Sequence, residues 1–332
     1  MMKYSVIVPT YNAMNTLGSC LKALTNQSID KEEYEVIVVD DGSTDRTSDI
    51  VKQFPIKYFG QPNQGPATAR NKGAVEATGE IILFTDSDCV PQNNWIEEMV
   101  KPFEDPEVIA VKGAYKTNQK ALIARYAQIE FEERFKILKK AESIDMVDTY
   151  SAGYRRSVFL SFGGFDPSFP VANNEDTELS YKMSQSGHKM VFNSNAIVYH
   201  LNHPDSIKKY ARLKFWRGYW RMVVYKRYPN KMLKDSYTPQ TLKIQILFLF
   251  LFLISFSLIW LLPHLVVYPL IFSVSGFFLS VLPLTLLALK KDLSVGILSP
   301  FFVFLRSFSL GLGIIWGIMS RRMRSYHETA SS

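Results

Sequence analysis

Residues 244–289 contain no Asp, Glu, Lys or Arg. No other feature of the 332-residue chain restricts its fold as much. The stretch IQILFLFLFLISFSLIWLL (244–262) and the run 265–289 are both mostly apolar. At about 1.5 Å per residue, each can cross a hydrocarbon layer of roughly 30 Å. Two such runs in tandem predict a membrane hairpin rather than helices buried in a soluble core. A third apolar run, 293–320, is interrupted by Arg306, and its candidate span is 297–319.

Charge divides the chain in the same way. Residues 1–205 carry 21 Lys/Arg and 28 Asp/Glu, a net −7; residues 206–243 carry 11 basic side chains and one acid, a net +10. An acidic front and a basic collar exclude a general nucleic-acid binder, whose cations should surround the binding face. The organisation expected is therefore a domain over 1–205, basic and aromatic juxtamembrane helices over 206–243, a transmembrane region over 244–320 and a polar tail over 321–332. The collar interleaves Lys and Arg with Tyr, Phe and Trp, and Trp216 and Trp220 stand one helical turn apart. That composition suits a helix in the headgroup region. Its cations place the front domain on the cytoplasmic side of a cell membrane, in a multi-pass protein. The third run is expected to cross, although RRMR (321–324) would then lie outside. A re-entrant segment around Pro300 and Arg306 is the alternative. Arg306 within that run implies a phosphate, a buried acid or snorkelling.

Only Cys20 and Cys89 occur, which suits a reducing compartment and provides no metal-thiolate pattern. The opening MMKYSVIVPTYN enters a strand at once, so no cleavable signal peptide is expected. Three strands are legible: KYSVIVP ending at Pro9, YEVIVVD ending at Asp40 and GEIILFT ending at Thr85. Each is nearly continuous in apolar residues, as strands buried on both faces are. Helical pattern over 14–27, 44–53 and 66–77 separates them, which implies an α/β fold with a mostly parallel sheet and helices on both faces. The strands end in TYN, DDGSTD and DSD. In an open α/β sheet ligands bind outside the carboxyl ends of the strands, so the three clusters should converge. Capping by Asp45 or Ser43 would explain one or two of these polar residues, not adjacent Asp40 and Asp41.

In NQGPATARNKG (63–73), Gly65 precedes a helix on which Arg70 and Lys72 fall early. No P-loop lysine and no GxGxxG occur. Asp86 and Asp88 in a short turn suit Mg²⁺ or Mn²⁺ bound together with phosphates. NNEDTELSYKM (173–183) places Glu175 and Asp176 before an amphipathic helix, where they either cap it or serve as a general base. AIVYHLNH (196–203) ends a strand-like run at His200, a candidate for metal or phosphate contact and equally a structural histidine.

VIVPTYN, VVDDGSTD, NQGPATARNKG, DSD, GGFD and NNEDTELSYKM, in this order over about residues 3–205, resemble family 2 of the glycosyltransferases, with the GT-A fold. The resemblance implies inverting transfer from a nucleotide-diphosphate sugar with Mg²⁺ or Mn²⁺. Thr10 with Tyr11, and Asp41 with Arg70 near it, would lie at the nucleotide. Asp86, with Ser87 beside it, would reach the ribose or the metal's outer shell. Asp88 would bind the metal, with His200 near it. Asp176 would be the base, with Glu175 beside it. Gly153 and GGFD (163–166) would shape the acceptor side. RGYWR (217–221) departs from the QxxRW of processive members, so polymerisation is not expected, while Arg217 or Arg221 would contact the diphosphate. With the membrane segments, the implied acceptor is a polyprenyl-linked saccharide in cell-surface glycan synthesis. A polyprenyl-phosphate (dolichol-phosphate-type) synthase, a glycolipid synthase and an inactive nucleotide-sugar-binding scaffold are the alternatives. Three spans are too few for one chain to form a transport pathway alone.

Overall fold

In the computed structural model of the protein, residues 2–169 and 173–320 are described; the expected tail over 321–332 lies outside them. The chain groups into two units, Met1–Asn118 with Phe135–His203, and Gln119–Arg134 with Pro204–Ser332.

The first unit begins as the apolar runs require. Strands β1 (Tyr4–Thr10), β2 (Tyr34–Asp40), β3 (Lys57–Gly60) and β4 (Ile81–Phe84) alternate with helices α1 (Leu17–Leu24), α2 (Thr47–Val51) and α3 (Pro66–Glu76). β2 is buried at all seven positions. Helix α1 buries one stripe, Leu17, Cys20, Leu21 and Leu24. Helix α3 approaches the sheet on small residues; a Cβ at Gly73 would collide with Ile7 and crowd Val39. All pairings among these four strands are parallel.

The chain continues through β5 (Cys89–Pro91), α4 (Trp95–Val100), β6 (Val108–Lys116), α5 (Leu122–Leu138), β7 (Ala152–Arg155), α6 (Arg156–Ser161), α7 (Glu175–Gln185) and β8 (Lys189–His200). The sheet has eight strands in the order β3-β2-β1-β4-β7-β6-β8-β5. β7 is antiparallel to both β4 and β6, β8 is parallel to β6, and β5 is antiparallel to β8. Only β5 and β7 therefore oppose the common direction, and the sheet is mixed but mostly parallel. The strands not legible in sequence are short, exposed or interrupted. β3 is an edge strand with no buried position. β6 carries Lys112, fully buried and hydrogen-bonded to Asp148 and to the Tyr150 hydroxyl.

The second unit takes Gln119–Arg134, with most of α5, and adds α8 (Ile207–Arg227), α9 (Pro229–Leu233), α10 (Gln240–Leu258), α11 (Pro263–Lys291) and α12 (Leu293–Met319). The last three are long and apolar enough to cross a membrane. Much of the surface of α10 and α11 is exposed apolar side chain, Leu247, Phe256, Leu265, Phe272 and Leu279 among them, and Trp260 between the two helices is 90% exposed. In water such a surface would be a severe liability. The collar folds as α8, the short α9 and the first turn of α10, and the two tryptophans of α8 part company. Trp216 is exposed and Trp220 is buried, with Tyr219 edge-on to both.

At the centre of this unit Glu130 is fully buried. It accepts from the Tyr210 hydroxyl at 2.7 Å and pairs with Lys214 at 2.9 Å and Arg306 at 3.0 Å. Burial alone would raise the Glu130 pKa; the Lys214 and Arg306 charges override it and hold the carboxyl well below its usual range.

Candidate active site

Two of the polar clusters are joined directly: Asn12 of TYN accepts from the Thr44 amide of DDGSTD at 2.8 Å. Asp41 follows β2 and is 4% exposed. Its Oδ1 accepts from Gln61 Nε2 (2.8 Å) and the Gln64 amide (2.9 Å), and its Oδ2 accepts from the Gly65 amide (2.8 Å). Asp41 thus clamps the turn that launches α3. Gly65 stands there at φ +91°, a conformation glycine adopts without strain. Asp40 accepts from the Ser43 amide and the Tyr58 hydroxyl, both at 2.8 Å. Asp45 accepts from the Thr47 amide at 2.9 Å. Much of DDGSTD is therefore committed to holding its own loop, although a carboxylate offers about four lone-pair sites and Asp41 has used three.

Arg70, one turn into α3, is 2% exposed. Its Nη2 donates to Asp86 Oδ1 at 2.8 Å and its Nη1 to Glu175 Oε1 at 2.9 Å. Burial works against the guanidinium, but the Asp86 and Glu175 charges more than offset it and hold its pKa above the ordinary value. This one side chain joins the turn after β4 to the start of α7. Lys72 points elsewhere and donates to the Gly60 carbonyl at 2.8 Å.

Asp86 and Asp88 face different partners. Asp86 meets Arg70, whereas Asp88 Oδ1 lies 3.9 Å from His200 Nε2 at the end of β8. Donor atoms of Asp88, Cys89 and His200 all lie within 4.8 Å of one another. Burial pushes the Asp88 pKa up, His200 opposes this, and the like charge of Asp86 adds to it. Burial pushes the Cys89 thiol up as well, reinforced by both aspartates. A protonated thiol is a poor ligand for a hard cation, so the usable donors are one carboxylate and one imidazole. Crowded negative charge beside an imidazole suits Mg²⁺ or Mn²⁺.

Glu175 and Asp176 open α7 after Asn174, which is left-handed at φ +67°. The Glu175 carboxyl is buried, and its Oε2 has no hydrogen-bond partner. Burial, with the like charge of Asp176, pushes its pKa up to about 7. Asp176 is only partly buried, and its Oδ1 accepts from the Thr177 amide at 2.7 Å. Thr10 is 3% exposed with an unpartnered Oγ1, while Tyr11 is 51% exposed. Ser87 is partly buried in the turn between the two aspartates.

GGFD forms a latch on α3. Asn71 donates to the Phe165 carbonyl at 2.7 Å and accepts from its amide at 2.8 Å. The Arg70 guanidinium lies 5.9 Å from the centre of the Phe165 ring. Asn71 and Asn174 went unrecognised in sequence; the Gly163–Gly164 pair, both at positive φ in the structure, was the one readable trace of the latch. Gly153 lies inside β7, where a Cβ would meet Leu83, Met99 and Phe103. The neighbours of that position are core side chains. In the second unit the Arg217 guanidinium lies over the Phe131 ring and that of Arg221 over the Tyr225 ring. Of the readings open for Arg306, a buried acid is what it meets: Glu130, with Gln245 Oε1 accepting from Nη2 at 2.8 Å.

Residues 5–162 match the family model described as Glycosyl transferase family 2. The chain is 30% identical over 223 residues to "Glycosyltransferase AglE" of Haloferax volcanii, covering 63% of this chain and 71% of that one. It is also 30% identical over 239 residues to "Probable glycosyltransferase YdaM" of Bacillus subtilis, covering 66% of this chain and 53% of the other. Among solved structures it resembles the mannosyltransferase PcManGT of Pyrobaculum calidifontis, with a TM-score of 0.61, 19% identity and coverage of 96% and 88%. That likeness supports the GT-A fold of the first unit. With strands, polar strand ends and sequence relatives in agreement, the chain belongs to glycosyltransferase family 2.

Proposed function

We propose that this glycosyltransferase inverts the anomeric centre as it moves a sugar from a nucleotide-diphosphate donor to a membrane-associated acceptor, with a polyprenyl-linked saccharide as the favoured acceptor class. The observation that carries the reading is the chain of contacts Asp86–Arg70–Glu175, with Asp176 beside Glu175 and Asp88 two residues beyond Asp86. Groups from three separate segments stand together at the carboxyl ends of the strands.

In this reading Thr10, Tyr11 and Asp41 receive the nucleoside, with one acceptor site of Asp41 remaining for it. Asp86 and Ser87 face the ribose. Asp88 and His200 hold the divalent cation, and PcManGT of the same fold was solved with GDP-Man and Mn²⁺. When bound, such a cation neutralises charge developing on the departing diphosphate. Arg70 fixes Asp86 and Glu175 relative to each other. Asp176, the more open of the two acids, takes the proton of the acceptor hydroxyl as its oxygen bonds to the anomeric carbon and the bond to the diphosphate oxygen breaks. Glu175 is buried and tied to Arg70, so it positions rather than abstracts. The basic collar and the apolar helices support a cell-membrane location with the first unit cytoplasmic.

The test is a screen of UDP-, GDP- and dTDP-sugars with Mn²⁺ or Mg²⁺ against polyprenyl-linked acceptors, polyprenyl phosphate and lipid extract. Product of inverted configuration is expected. A retained configuration would exclude the displacement described, and transfer to polyprenyl monophosphate alone would favour the dolichol-phosphate-type reading.

A further inference from the structure

Helix α8 carries eight Lys or Arg and no acid over its 21 residues. Lys214 is buried against Glu130, whereas Lys208, Lys209, Arg212 and Lys226 are exposed along the length of the helix. A cation at the centre of a bilayer is costly even on the most lenient scale. Several together keep α8 out of hydrocarbon and at the level of the headgroups.

Helix α12 is fastened to α8 and runs in the same direction. Glu130 joins Lys214 of α8 to Arg306 of α12. Further along, a Cβ at Gly218 would collide with the Leu310 carbonyl, and one at Gly313 with that of Phe215. At Gly317 a Cβ would stand 3.1 Å from the Tyr219 carbonyl oxygen and 3.2 Å from Met222 Cβ. The Tyr219 and Ser320 hydroxyls lie 3.2 Å apart. Positions 218 and 222 of one helix thus meet 310 and 317 of the other, 214 and 306 are joined through Glu130, and three glycines bring the backbones into contact. Over its 27 residues α12 is about 40 Å long. Were it to cross a bilayer, its last two turns would draw Tyr219 and the surrounding cations of α8 through the hydrocarbon.

The exposed side chains of α12 fit a helix lying flat. Phe301, Phe304, Leu312, Ile315 and Met319 fall on one helical stripe, opposite the buried stripe of Arg306, Gly313 and Gly317. One face is apolar and largely open; the other is covered by the cationic helix, and α12 also touches α11 and α10, with Ser299 donating to Thr285 Oγ1 at 2.8 Å, the Phe304 and Phe277 rings 6.4 Å apart and Gly311 against Phe250.

We propose that α8 and α12 form a two-helix layer in the headgroup region of an anionic phospholipid membrane, and that the chain crosses by α10 and α11 alone. The apolar stripe of α12 faces the acyl chains and the cations of α8 meet lipid phosphates. Ser320 then lies on the same side as α8, and Arg321, Arg322 and Arg324 need no translocation. This rests on the reading that α10 and α11 are inserted in a membrane.

The experiment uses the full chain in sealed vesicles of known orientation, with Ser206→Cys and Ser320→Cys prepared separately and reacted with a membrane-impermeant maleimide. The native Cys20 and Cys89 are buried, and the parent protein sets the background. Both introduced thiols are expected to react from the same face. Reaction of Ser320→Cys from the face opposite to Ser206→Cys overturns the proposal. If Ser320→Cys loses transferase activity or does not react, a protease site inserted after Ser320 reads the same sidedness, with cleavage on the Ser206 side expected and cleavage on the other side fatal. Release of the protein by alkaline carbonate would overturn the membrane reading itself, and with it this one.

Discussion

Arg70 Nη1 stands 2.9 Å from Glu175 Oε1 across 105 positions of sequence. The same guanidinium holds Asp86 at 2.8 Å. Two carboxylates from distant segments are thereby set by a single buried cation, and the geometry of the site depends on it.

Arg70→Ala should leave Glu175 buried without its counter-charge. Removing one partner of a buried ion pair costs about 3–5 kcal/mol, so a large fall in the unfolding midpoint is expected along with loss of activity. Arg70→Lys keeps the charge but not the two-pronged reach, and should recover stability better than turnover. A midpoint unchanged in Arg70→Ala would show that the pair contributes nothing.

Glu175 has a pKa raised to about 7 from its ordinary 4.5. A carboxyl raised by folding stabilises the native state fully below the lower value, and that contribution is lost as pH rises through about 7. Thermal stability should therefore show a downward component between about pH 4.5 and 7 that is absent in Glu175→Gln. Midpoints of both proteins across this range give the answer. Parallel pH profiles would contradict the assignment.

Asp176→Asn should fold normally and still bind nucleotide, but transfer to a hydroxyl acceptor should slow by about 10²–10⁴-fold, the usual worth of a general base. Binding of the donor and the transfer rate are measured separately. Full-rate transfer would remove Asp176 from that role.

Chelation with EDTA should abolish transfer and Mn²⁺ should restore it. Asp88→Asn and His200→Ala should each weaken Mn²⁺ binding in the presence of nucleoside diphosphate, on the order of tenfold or more, by analogy with losses seen even for outer partners of a metal. Calorimetric titration of Mn²⁺ reads this directly. Unaltered affinity in Asp88→Asn would place the cation elsewhere.

Glu130→Ala should destabilise the protein by about 3–5 kcal/mol, because Lys214 and Arg306 lose their common counter-charge inside the second unit. Arg306→Met should be better tolerated, because Glu130 keeps Lys214 as its counter-charge. Thermal unfolding in detergent compares the two.

Much of the fold was legible because its signals are local. β1, β2 and β4 are continuous apolar runs buried on both faces, and 244–289 has no charge, so hydropathy alone locates them. β6 was hidden by Lys112, a cation at the centre of a strand whose partners lie 36 and 38 positions away. β7 was hidden by its shortness and Gly153. Asp41, Asp86 and Asp88 could be named from their places after strands, and Glu175 and Asp176 from theirs before a helix. Their partners could not: neighbours in DSD, Asp86 and Asp88 turn to Arg70 and to His200 respectively.

The sequence by itself determined the strands β1, β2 and β4 of the sheet, the apolar segments and where polar groups collect, since these follow from periodicity and the cost of burying charge. The tertiary structure alone decided that Arg306 answers Glu130, 176 positions away, that Trp220 turns inward while Trp216 does not, and that α12 lies along α8. Pairing of buried charges and close approach of helix backbones depend on what else arrives at the same place, and nothing in the nearby residues encodes that.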